Sequence, residues 1–205
     1  ASKLLREDDH MMLSNETPTL APESLEFWWN SGFTWDDYLG NEVEEHRELW
    51  QGIYRRATTP VWTLEALEDL GREWKLLAIA EDWCGDASNL VPVFGRLARD
   101  SDWIDLRVVK RDEHPDLMDR YLTNGSRSIP IIVIMDEDFR PVGRWGPRPV
   151  ELQELVIREK RAGKTPASEI YRETRRWYAR DRGRTTLRET LAIMADVKDE
   201  GAERL

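Results

Sequence analysis

Between residues 61 and 161 the hydrophobic pattern alternates between strand and helix periods. Leu64 to Leu70 reads as a short helix. Leu76-Leu77-Ala78-Ile79-Ala80 is an unbroken apolar run, as a strand buried on both faces should be. From Cys84 the spacing changes: Ala87, Leu90, Val91, Phe94, Leu97 and Ala98 fall on one face of a helix. Ile104 to Val109 is the next strand, Pro115 to Tyr121 a helix, Ile131 to Met135 another buried strand, and Val142 to Trp145 a short last one. Pro141 lacks an N–H for a ladder, which puts that last strand at an edge. Val150 to Lys160 closes the region as a helix. The order predicts an α/β fold with helices flanking a central sheet.

The flanks read as helical extensions, residues 13–60 and 162–205. In the first, Pro22 suits the opening turn of a helix carrying Leu25, Trp28 and Trp29 and ending at Ser31-Gly32. Thr34 can cap a second helix, with Asp36 and Asp37 near its positive end, that runs on through Trp35, Tyr38, Leu39, Leu49, Trp50, Ile53 and Tyr54. The aromatic stripe is read as packing surface. In the second, Thr165-Pro166 starts a helix that Gly183 ends, and Thr186 with Glu189 has capping-box spacing for the next. Its many arginines, Arg172 to Arg188, are read as a solvated helix face pairing within the chain with an acidic body, the alternative being a binding patch. Residues 1–12 read as added, disordered sequence, with the native start at Met11 or Met12.

The 205 residues are 40% hydrophobic, enough for a real core. A net charge of −10, from 30 basic and 40 acidic residues, makes nucleic acid and anionic membranes poor partners. No apolar run approaches the roughly 20 residues of a membrane helix, and the opening residues have no signal-peptide core. One cysteine cannot form an internal disulfide. A cytoplasmic protein is expected. No spacing points to a metal: His46 lies in a charged run and His114 before a helix, each without companion ligands. No phosphate loop or serine nucleophile elbow is present, and no cofactor is implied.

The cysteine is Cys84, in Glu81-Asp82-Trp83-Cys84-Gly85-Asp86-Ala87. A strand ending at Ala80 and a helix starting beside Cys84 place its sulfur at a helix N-terminus, where free N–H groups and the dipole favour thiolate. Glu81, Asp82 and Asp86 oppose this by disfavouring a second negative charge. A moderately activated thiol is expected.

These residues resemble the thioredoxin family. Trp83-Cys84-Gly85-Asp86-Ala87 stands where the family has Trp-Cys-Gly-Pro-Cys. Pro92 matches the proline of its active-site helix, and Val109 to Pro115 the passage from the third strand. Arg127-Ser128-Ile129-Pro130, followed by Ile131 to Ile134, matches its cis-proline loop and next strand, and Gly146 a glycine after the last strand. The match covers residues 61–161 and is similar to a bacterial subgroup that carries Trp-Cys-Gly-Asp with long extensions. The resemblance implies a thioredoxin-like mixed sheet, Cys84 as attacking thiol, and Trp83 beside it on the surface. It also implies a cis Pro130 facing the sulfur, backbone pairing of an extended substrate at Ile129, and Gly146 as the far wall, with Arg144 and Arg148 nearby. Gly85 and Asp86 would line the same groove, and the loop from Thr123 to Ser126 would alter its rim.

Two departures belong to one step. Ala87 replaces the resolving thiol, and Ala78 stands where the family keeps a buried acid that handles that thiol's proton. Release of a mixed disulfide by a second internal cysteine is therefore absent. An engineered exchange at Ala87 would have kept the acid, so Ala78 argues against one. The expected function is that of a single-thiol protein forming mixed disulfides with protein or small-molecule thiols. The alternatives are a non-redox binding module using the Pro130 groove, and a reductase or peroxidase working with a partner's cysteine.

Overall fold

The computed structural model describes residues 24–202. The expectations for residues 1–12 and for Pro22 lie outside the described residues.

Helix α1, Leu25–Ser31, starts at Ser24, whose hydroxyl accepts the Phe27 N–H. Its Leu25, Trp28 and Trp29 are buried. Strand β1, Phe33–Thr34, follows and joins the sheet, an element with too few residues to show a period. Thr34 does cap the next helix, accepting the Asp37 N–H. The long helix expected beyond it is broken into α2, Trp35–Asp37, a π turn over Tyr38–Glu42, and α3, Arg47–Arg56. The cause is tertiary. The Asp82 carboxylate accepts the N–H groups of Glu44 and Glu45 at 2.8 and 2.7 Å, taking donors that a continuous helix would spend on itself. His46 then sits in a left-handed turn with φ 55° rather than on a helix face.

Helix α4 is Val61–Leu70. It leads into β2 Trp74–Ala80, α5 Gly85–Asp100, β3 Ile104–Lys110 and the short α6 Pro115–Met118. Strands β4 Ile131–Met135 and β5 Pro141–Trp145 precede α7 Val150–Ala162, α8 Ala167–Asp181 and α9 Arg184–Ala202. The sheet has five strands in the order β1-β3-β2-β4-β5. Strands β2 and β3 are parallel, and every other pair is antiparallel. The sheet is thus mixed and β5, with Pro141, is an edge.

Alternation along β2 splits the core. Leu76, Ala78 and Ala80 pack on one face with α5, and Leu77 and Ile79 on the other with α1 and α6. Cys84 packs against both clusters.

The N-terminal elements lie on α5 through Gly95. A β-carbon there would lie 2.2 Å from the Trp35 ring, and that ring is buried against Trp50 and Tyr54. Gly95→Ala is expected to lose about 1–3 kcal/mol through overpacking, despite the roughly 1 kcal/mol that alanine adds to a helix. Denaturant melts check it, and unchanged stability would show that Trp35 moves freely.

Helix α9 begins without the expected capping box. Asp181 accepts the Thr185 N–H, and Thr186 is buried. Glu189 reaches across instead, accepting from Trp145 Nε1 at 2.7 Å and the Val150 N–H at 2.9 Å, so it caps α7, whose own N-cap residue is Pro149. The α8 arginines Arg172, Arg176 and Arg180 pair within the chain on a solvated face, as expected, but with Glu169 and Glu173 of their own helix rather than with an acidic body.

Candidate functional site

Strand β2 ends at Ala80, and a tight turn bonds the Cys84 N–H to the Glu81 carbonyl at 3.2 Å. Cys84 is the N-cap of α5 in extended conformation, and its Sγ accepts the Ala87 N–H at 3.5 Å. The thiol donates to the Ile129 carbonyl at 3.6 Å. Cys84 is half-buried, and Trp83 beside it is 40% exposed, with the Arg111 guanidinium 4.9 Å from its ring centroid. The Ile129–Pro130 peptide is cis, as is Gly146–Pro147. Gly146 has φ 115°, and a β-carbon on it would come within 2.3 Å of the Pro130 carbonyl oxygen. The left-handed glycine lets the loop after β5 close onto the Pro130 loop. Of the residues singled out in the sequence, Trp83, Cys84 and Gly85 share the turn, Ile129 and Pro130 face it, and Gly146 lies behind Pro130.

Asp86 goes elsewhere. Its Oδ2 pairs with Arg148, and its Oδ1 accepts from the Tyr178 hydroxyl at 2.7 Å. Both ion-pair side chains are 14% exposed. Arg148 also donates to Gln153. Burial, and then the adjacent Asp86 charge, push Tyr178 far above the usual phenol range, so its hydroxyl remains a donor. Tyr178 comes from α8, 92 residues from Asp86, and no sequence pattern announces the pair.

The thiol is less activated than the sequence suggests. Burial, the largest cause, pushes Cys84 above the free-cysteine value. The Ala87 N–H bond opposes this, the Asp86 charge adds to it, and the Asp86 N–H and Arg148 pull back. The helix terminus does not offset burial because the sulfur is wedged between both core clusters. Glu81 is itself pushed up, mainly by burial, while it accepts the Asp112 N–H at 2.8 Å.

The chain has counterparts among known proteins. A family model described as Thioredoxin matches residues 32–163. The chain belongs to the thioredoxin family. The match begins just before β1, so the thioredoxin region takes in the edge strand. The thioredoxin fold recurs in a crystal structure of a Pseudomonas aeruginosa protein of unknown function, with TM-score 0.67 and 19% identity over 85% of this chain and 98% of that one. It recurs in an HIV epitope scaffold, with TM-score 0.65 and 18% identity over 84% of this chain and 98% of the scaffold. The search of curated proteins returned no match. Among the described residues no helix is long and apolar enough to cross a membrane.

Proposed function

We propose that this thioredoxin-family protein works through a single thiol. Deprotonated Cys84 attacks one sulfur of a disulfide. The substrate S–S bond breaks, a Cys84–S bond forms, and the other substrate sulfur leaves as thiolate. A separate thiol then attacks the mixed disulfide and returns Cys84 to the reduced form, so that external thiols supply the two electrons. The observation that carries this reading is the chain's one cysteine, at the α5 N-cap and 3.6 Å from the carbonyl of the residue before Pro130. An extended substrate would pair with the backbone at Ile129, between exposed Trp83 and the Gly146 loop. A reducing, cytoplasmic compartment suits a thiol that must return to the free form.

The raised thiol pKa sets the character of the reaction. At neutral pH the thiolate fraction is small and attack is slow. Once formed, the mixed disulfide holds a poor leaving group in Cys84, so exchange favours a durable adduct. The same shift favours a second reading, a non-redox module that binds extended segments in the Pro130 groove.

Intact mass after incubation with oxidised glutathione separates the two. One glutathionyl adduct per chain is expected, faster at pH 9 than at pH 7 and absent in Cys84→Ser. The alkylation midpoint should lie above the ~8.5 of free cysteine. No adduct at any pH would leave only the binding module. Stability carries the same sign. Folded Cys84 keeps its proton to higher pH than the unfolded chain, so its contribution is full below about 8.5 and is lost as pH rises through the folded value.

A further inference from the structure

A cavity of about 480 Å³ opens between α3, α5 and the α8–α9 turn, inside the roughly 300–1,000 Å³ range of small-molecule sites. Its walls include Ile53, Leu90, Val93 and Ala179, and among the described residues its charged lining is Arg56 and Arg182, with no carboxylate. Both arginines are exposed. Among the described residues neither guanidinium has an ion-pair or hydrogen-bond partner, although the chain carries a net charge of −10 and neighbouring α8 arginines are paired. The walls are held: a β-carbon on Gly183 would meet Val93 at 2.6 Å, so the α8–α9 turn is seated directly on α5.

We propose that this cavity binds a small amphipathic carboxylate, its apolar body against Leu90 and Val93 and its anionic head between Arg56 and Arg182. Apolar walls supply the binding area, and two cations without a lining acid select the sign of the head. The described lining does not include Cys84, Ile129 or Pro130, and the proposal does not depend on the redox reading.

Calorimetric titration of the full chain with sub-micellar sodium decanoate tests it. Decanoate is expected to bind saturably at one site, with acetate, which lacks the tail, and decyltrimethylammonium, which reverses the head, each at least about tenfold weaker. The double variant R56E/R182E should weaken decanoate at least about tenfold, and Ala179→Trp, a change at an exposed position that fills the cavity, should remove binding. Far-ultraviolet circular dichroism checks that each variant is folded. The proposal is overturned if decanoate does not bind, if the cation binds as well as the acid, or if binding survives both variants. In those cases the arginines only neutralise the ends of α3 and α8.

Discussion

Arg148→Met is expected to lower stability by about 3 kcal/mol, the lower end of the range for breaking a buried ion pair from one side. The lower end applies because each partner keeps 14% exposure. The loss comes from Asp86 rather than from missing contacts on Arg148. Methionine fills much of the arginine stem's volume, but among the described residues the carboxylate keeps only the Tyr178 hydroxyl as a partner. Adding Asp86→Asn should therefore recover part of the loss, since an amide has no charge to strand. The two single variants should also move Cys84 in opposite directions. Asp86 raises the thiol pKa and Arg148 lowers it, so Asp86→Asn alkylates faster than the parent at pH 7 and Arg148→Met slower. Urea titration and timed alkylation with mass detection measure both. Arg148→Met within about 0.5 kcal/mol of the parent, the scatter of an ordinary surface change, would mean that the pair is solvated and holds nothing.

The acids around Cys84 show what a sequence conceals. Asp82 and Asp86 read as charges that suppress the thiolate, and Asp86 does act that way. Their larger roles are as anchors. Asp82 takes two N–H groups from the N-terminal extension, and its backbone carbonyl accepts from Trp50 Nε1 at 2.9 Å. Asp86 takes Tyr178 from the C-terminal extension. The two helical extensions are thus tied to the turn that presents the cysteine. These pairs span 38 and 92 residues, and a polar contact between distant segments leaves no period to read. Strands β2 and β4 were legible because burial on both faces demands an unbroken apolar run. The cysteine turn and Pro130 loop were legible because each is a local motif. Strand β1 was not, because its two residues carry no pattern and its pairing with β3 is set by packing. The thiol's pKa is hidden from the sequence for a related reason: helix position is local, but the burial that outweighs it comes from the whole core.

Ala87→Cys is expected to turn a protein without dithiol turnover into one with it. Ala87 is fully buried, one helical turn after Cys84, and its N–H already points at the sulfur from 3.5 Å. Residues three apart on a helix have β-carbons about 5–6 Å apart, longer than the roughly 3.5–4.5 Å of a disulfide. Cys84, however, is the extended N-cap and not a helical residue, which brings its side chain over the first turn. A thiol at 87 would attack the Cys84 mixed disulfide from within, forming an intramolecular bond and releasing the substrate sulfur as thiol. The oxidised variant should lose two hydrogens in mass and refuse alkylation. Insulin reduction with excess dithiothreitol should rise clearly above the parent's background, at a rate limited by Ala78. Ala78 lies on β2 at the position where the resemblance to thioredoxins puts the proton-handling acid, so Ala78→Asp on top of Ala87→Cys should raise the rate again near neutral pH. A parent that turns over insulin as fast as the Ala87→Cys variant would contradict the single-thiol mechanism. A variant whose two thiols both remain alkylatable after oxidation would show that Cys84 faces away from position 87.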